Sequence, residues 1–421
     1  MRARVCRVTL GAFLVRNRAF LGAGALLTFL SSFGQTYFIS VFSGEIREAF
    51  GLSHGDWGGI YAAGTIASAI VMVWLGALTD HYRVRALAGF VLVGLAVACL
   101  VMALNPLVWI LPVGVFLLRL FGQGMASHVA TVAIARWFVA TRGRALAIAS
   151  LGFAAGEAVL PLLFVFLLRM TEWRLLWIGA AVVSVLMIPL IIRLLQAERT
   201  PKSVAEETEA FGMRGLHWTR RAAVGHWVFW IMVPAMLGPA AFTTAFFFHH
   251  VHIAEVKGWS HLDLVALFPV YTLAGVIAMF VSGFLIDRFG SSVIAAVTQA
   301  PFALGYLIFG LTDTLALGAV GIVCIAVAAG MNTTMLGAIW AEYYGTRFMG
   351  SIKALAMAVM VLGSALGPAV TGYAIDLGID FPDQLTVIAL WFCGVCVLVS
   401  VGLYRARRLF ALTPEVDVIR P

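Results

Sequence analysis

The sequence predicts an all-α membrane protein with twelve transmembrane helices in two pseudo-symmetric six-helix bundles. Three observations predict it: an apolar composition, basic residues that fall on one side of the apolar runs, and an internal repeat. Of 421 residues, 62% are hydrophobic and 11% are charged, where a soluble globular chain carries about 25% charged residues. A bilayer span takes about 20 mostly apolar residues, so twelve spans use about 240 and leave short loops with no room for a soluble catalytic domain.

In chain order, Arg2, Arg4, Arg7, Arg16 and Arg18 precede an apolar stretch from Ala19 to Phe42. That stretch is too long for a signal-peptide core and reads as an uncleaved first span. Charged, glycine and proline breaks then place spans near 57–78, 86–105, 107–133, 145–168 and 175–196. The second set falls near 226–251, 263–286, 291–311, 314–338, 352–375 and 382–404. The only sizeable polar segment, with Lys202, Glu206, Glu207, Glu209, Arg220 and Arg221, separates the two sets. The expected organisation is therefore an N-terminal bundle over 1–196, a cytoplasmic linker over 197–225, a C-terminal bundle over 226–404 and a cytoplasmic tail over 405–421.

The net charge of +8 is dispersed between apolar runs rather than gathered on one segment, which argues against a nucleic-acid partner and for a topological signal. With both termini cytoplasmic, only Arg47, Arg169, Arg174 and Lys257 fall on the far side, and Arg119 falls inside a span. The opposite orientation inverts this asymmetry and violates the positive-inside rule. The expected location is the cell inner membrane, as a multi-pass monomer.

Laying residues 51–80 over 258–287 matches Ser53 with Ser260, His54 with His261, Asp56 with Asp263, Gly76 with Gly283 and Asp80 with Asp287. Further on, Arg144-Ala-Leu-Ala aligns with Lys353-Ala-Leu-Ala. A duplicated six-span unit follows. Cys393 and Cys396 form a CxxC pair inside the last span, with no second pair or histidine nearby, and read as two small apolar residues.

The repeated loops carry a motif. Gly76-Ala-Leu-Thr-Asp80-His81-Tyr-Arg83 and Gly283-Phe-Leu-Ile-Asp287-Arg288-Phe-Gly290 resemble the G-x-L-x-D-R-x-G loop of the major facilitator superfamily. The resemblance implies a cytoplasmic gate of Gly76, Asp80, Arg83, Gly283, Asp287 and Arg288. There, glycine permits close helix contact and aspartate caps a neighbouring helix or pairs with arginine. The first copy departs from the motif at His81 and Arg83. A narrower resemblance, to bacterial members of the monocarboxylate-transporter-like branch, rests on Ala-Arg136-Trp-Phe, Arg142-Gly-Arg144-Ala-Leu-Ala, Trp173-Arg174 and the stretch from Gly363 to Pro368. The Asp-Gly-Gly-Trp signature of animal monocarboxylate transporters is absent from the first span, and the eighth span has no arginine.

Ionisable residues inside a span mark pathways by default. Arg119 lies about 18 Å from the outer end of the fourth span and Glu157 about 18 Å from the inner end of the fifth, both close to mid-depth in a core about 30 Å thick. Two readings stand. Glu157 carries the coupling proton while Arg119 pairs with it or holds an anionic substrate, or the two form a permanent ion pair that fixes packing. Arg119 resembles the fourth-span arginine of proton-coupled members of the superfamily. Gly156 is followed by Glu157 where drug antiporters carry proline, which lowers the antiporter reading.

Gln35 and Tyr37 on the first span, Gln123 and His128 on the fourth, and Asn332 and Thr333 on the tenth lie on helices that line the central cavity in the resembled fold. Each has an interhelical hydrogen bond as its alternative. His249, His250 and His252 close the seventh span. Adjacent histidines on a helix point in different directions, which favours an interfacial or substrate-facing cluster over a metal site. No cofactor motif, Walker loop or nucleophile triad is visible.

The expectation is a secondary transporter, not an enzyme, importing a small organic solute or anion with protons. Export on the same scaffold and a non-transporting ligand receptor remain as alternatives. Transport in right-side-out against inverted vesicles separates the first, and counterflow of labelled ligand excludes the second.

Overall fold

The computed structural model describes residues 10–76, 78–138, 142–196, 212–345 and 348–406, with the backbone alone at 10–12, 80, 135–136, 142–144 and 349–351. The Asp80 side chain and most of the linker and tail therefore lie outside the described residues. Of the described residues 89% are helical, and no strand occurs among them. In hydrocarbon every backbone amide and carbonyl must be paired within its own segment, and the helix does this without a partner strand.

Twelve helices among the described residues are long and apolar enough to cross a bilayer. Spans 1–6 run Phe13–Gly34, His54–Leu75, Val84–Leu104, Val108–Ile134, Ala145–Leu168 and Trp173–Leu194. Spans 7–12 run Trp227–Phe248, His261–Phe289, Ser291–Leu311, Leu315–Tyr344, Ile352–Asp376 and Phe381–Ala406.

The chain divides into two compact units. The first takes in the described residues of Met1–Ile39, Ala67–Leu160 and Leu167–Ala205. In it, span 3 packs on span 6 and span 1 on span 4. The second takes in those of Ser40–Ile66, Pro161–Phe166 and Glu206–Pro421. There span 9 packs on spans 10 and 12, span 8 on span 10 and span 7 on span 11. Without a hydrophobic drive between helices in lipid, close approach falls to small residues. A Cβ added to Gly305 of span 9 would lie 2.7 Å from the Gly321 carbonyl of span 10, and one on Gly367 of span 11 would overlap the Ala241 carbonyl of span 7.

Two departures from regular helix matter. The first span, expected to run unbroken to Phe42, passes through a 3₁₀ turn at Ser31–Gly34 and opens at Gln35, which is extended at φ −86°, ψ 153°. Short helices Thr36–Ile39 and Ser43–Phe50 follow. An apolar count cannot register such a break, because Phe33, Phe38, Ile39, Val41 and Phe42 remain buried on both sides of it. The fourth span is π-helical over Leu118–Ala126, a form that occurs mostly as short bulges, often at functional sites.

Span 8 ends at Gly290, whose φ of +82° admits glycine and few other residues. Of the linker, Trp218 donates its amide to the Tyr344 carbonyl at the end of span 10. Lys257 donates to the Gly310 and Thr312 carbonyls at 3.2 and 2.5 Å, placing a cation at the C-terminus of span 9 where the helix dipole favours it.

Candidate functional site

The opened first span creates the site in the first unit. Gly34 and Gly122 touch backbone to backbone: a Cβ on Gly122 would lie 2.6 Å from the Gly34 Cα, and one on Gly34 would overlap the Leu118 carbonyl. One helical turn before Gly122 along span 4, Arg119 is only 3% exposed. Its guanidinium reaches the Gly34 carbonyl at 3.5 Å and the Thr36 hydroxyl at 3.4 Å. Because span 1 opens here, the Gly34 carbonyl is available to a side chain rather than committed to a continuing helix.

The other face of the break meets span 5. The Thr28 hydroxyl donates to the Ala149 carbonyl at 2.6 Å, and a Cβ on Gly152 or Gly156 would overlap the Ala25 carbonyl or the Ser32 hydroxyl. Tyr37, buried, donates its phenol to Ser32 at 2.9 Å. Its ring meets Phe153 edge-on at 5.7 Å. Glu157, half-buried and next to Gly156, is among the charges acting on that phenol. Residues 32–37 thus touch Arg119 through Gly34 and Thr36, and lie beside Glu157 through Tyr37. Arg119, Tyr37 and Glu157 are brought together around the break.

The remaining expected residues distribute as follows. Gln35 is the break itself, and its carbonyl accepts from the Phe38 and Ile39 amides. Gln123 and His128 are half-buried on span 4; the His128 Nε2 lies 3.5 Å from where a Gly76 Cβ would stand. In the second unit, Asn332 is buried on span 10, and the Thr333 hydroxyl turns back to the Ala329 carbonyl at 3.0 Å. His249 is buried, with Nε2 3.0 Å from the Thr371 hydroxyl and 3.3 Å from the Pro368 carbonyl of span 11. Burial holds its imidazole well below the ordinary histidine range. Among the described residues no group of His, Cys, Asp or Glu has the arrangement of a metal site.

At the loop motifs, Arg83, Asp287 and Arg288 are exposed. Among the described residues, nothing outside its own helix backbone lies within 4 Å of where a Gly283 Cβ would stand. The carboxylate that caps span 9 is Glu342, at the end of span 10, which accepts from the Ser291 amide at 3.1 Å. Sequence reasoning missed it, along with Arg47, Asp376 and Asp380 in the second unit. For His54 a signal was present, because the repeat pairs it with His261.

Comparison with known proteins identifies this architecture. The sequence profile of the Major Facilitator Superfamily matches residues 24–368. The chain belongs to that superfamily. Among solved structures, an inward-facing, occupied bacterial homologue of the human lysosomal transporter Spinster is 16% identical, with a TM-score of 0.69 over 94% of each chain. The nucleoside transporter NupG is 11% identical, with a TM-score of 0.68 over 92% of this chain and 99% of its own. At these identities the likeness is one of fold. No curated protein matches the sequence significantly.

Proposed function

We propose that this chain is a secondary transporter that takes up a small organic solute or anion with protons by alternating access, using the first-unit site around Arg119, Tyr37 and Glu157. The observation that carries the reading is the break at Gln35. It leaves helix hydrogen bonds unmade where span 1 ends, which an apolar layer tolerates only where backbone lines protein or a wet cavity, and the opened segment meets a buried cation through Gly34 and Thr36 and lies beside a half-buried carboxylate through Tyr37. Arg119 holds the anionic or polar end of the solute, in exchange for its contacts to Gly34 and Thr36. Glu157 binds and releases the proton.

The charge asymmetry of the loops supports termini on the cytoplasmic side of an inner membrane. The resemblance of Arg136-Trp137-Phe138 and Gly363 to Pro368 to the monocarboxylate-transporter-like branch supports an organic-anion cargo.

The test is a thermal-shift screen of organic anions and neutral metabolites on purified protein. A solute that raises the unfolding midpoint of the wild type but not of Arg119→Ala supports the reading. An equal shift in both places the solute elsewhere.

A further inference from the structure

At the ends of the helices away from the G-x-L-x-D loops, the second unit holds a cluster of titratable groups that transport through Arg119 and Glu157 does not use. Arg47 stands on the short helix Ser43–Phe50 and His54 is the first residue of span 2. His249 and His252 follow span 7, with Glu255 on the same short helix, His250–Val256, as His252. Asp376 ends span 11, and Asp380 lies in the loop after it.

The contacts fix protonation. Arg47 Nη1 lies 2.8 Å from His54 Nε2. A guanidinium only donates, so this His54 nitrogen accepts and the ring is neutral. The His54 ring packs on the His252 ring at 4.5 Å and faces His249 at 6.0 Å. His252 Nε2 lies 3.2 Å from Asp380. The Asp376 carboxylate is already engaged, accepting from the His54 and Gly55 amides at 3.0 and 2.8 Å. Around these groups spans 2 and 11 touch: a Cβ on Gly58 or Gly372 would lie 2.6 Å from the Pro368 or His54 carbonyl. A cavity of about 600 Å³, lined by Arg47, Glu45, Glu48, Glu255 and His261 among others, adjoins the cluster and gives water a route to it.

We propose that His54 and His252 form a proton-operated latch, which holds spans 2 and 11 together while His54 is neutral and releases them when both imidazoles are protonated. The proposal rests on the alternating-access reading but not on Glu157. One proton is tolerated on His252, where Asp380 and Glu255 face it. A second, on His54, turns the 2.8 Å contact into two donors and two cations, with another cation on the adjoining ring and Asp376 already bound to amides. Burial acts in the same sense on His252, lowering its affinity for protons in the closed latch against the pull of Asp380 and Glu255. The closed form therefore binds fewer protons than the open form, in which exposed imidazoles titrate near about 6.5. Acidification opens the latch.

The experiment is pulsed electron–electron spin resonance on full-length protein in nanodiscs. Nitroxides sit at Ala49→Cys and Leu377→Cys, with Cys6, Cys99, Cys324, Cys393 and Cys396 replaced by serine. Between pH 8 and pH 5 a longer distance is expected to grow in as pH falls below about 6.5. His54→Gln keeps an acceptor for Arg47 without a titrating ring and is expected to hold the short distance at pH 5, as is His252→Gln; Glu157→Gln is expected to shift like the wild type. A wild-type distance unchanged with pH overturns the proposal, as does a full shift in both histidine variants. So does a shift lost in Glu157→Gln but kept in His54→Gln, an outcome that leaves the proposed function standing.

Discussion

Gly34 and Gly122 meet without a side chain between them, and the contact sets the depth at which Arg119 reaches the open end of span 1. Gly122→Ala is expected to force the two segments apart at a cost of about 1–3 kcal/mol. It lowers the unfolding midpoint in detergent and slows uptake. Gly22→Ala is the control: an added Cβ there meets no atom of the described residues within 4 Å beyond its own helix backbone, and alanine is the better helix former. Its midpoint should hold or rise.

Arg119→Lys tests geometry rather than charge. A lysine is a point charge on a shorter stem, and it lacks the planar, delocalised head whose Nη1 reaches both the Gly34 carbonyl and the Thr36 hydroxyl. Uptake is expected to fall about tenfold or more, the equivalent of about 1.4 kcal/mol, while the protein still inserts and purifies. Transport rates in proteoliposomes measure it.

The twelve spans were legible because apolar length and the side of each Lys and Arg are local properties. Arg119 and Glu157 stood out for the same reason, as charges inside apolar runs. The break at Gln35 was not legible. The residues beyond it are as apolar as those before it, so an apolar count passes over the small and polar cluster Ser31, Ser32, Gly34, Gln35 and Thr36, and the packing of Gly34 on Gly122 is a tertiary contact. Asp376 was missed because its partners, the amides of His54 and Gly55, are more than three hundred residues away. His249 and His252 were seen as a cluster, yet their partners Thr371 and Asp380 come from span 11 and the loop after it. A single sequence carries no signal for such pairings.

Asp376→Ala removes a carboxylate that serves as a cap in trans for the start of span 2. The loss of both amide contacts is expected to cost about 1 kcal/mol, in the range of an N-cap deletion. Hydrogen exchange at His54 and Gly55 should accelerate, while Asp376→Asn retains part of the protection. Exchange followed by mass spectrometry reads both.

His249 gives stability a pH dependence of defined sign. Burial keeps its folded-state proton affinity well below that of an exposed imidazole, so the unfolded chain takes up a proton near about pH 6.5 that the folded chain refuses. Stability is flat above that pH and falls as pH drops below it. Thermal unfolding midpoints between pH 8 and pH 5 should show this slope. His249→Gln, which can still bond Thr371, should make it shallower, the remainder coming from the other histidines that burial holds neutral, His250 and His252.

The most direct test of the transport site is accumulation against counterflow in proteoliposomes carrying Glu157→Gln, using a solute found by thermal shift. With Glu157 as the proton carrier, an imposed pH gradient no longer drives accumulation in the variant, while exchange of labelled for unlabelled solute continues at close to the wild-type rate. Accumulation to the wild-type level in that variant would contradict the assignment.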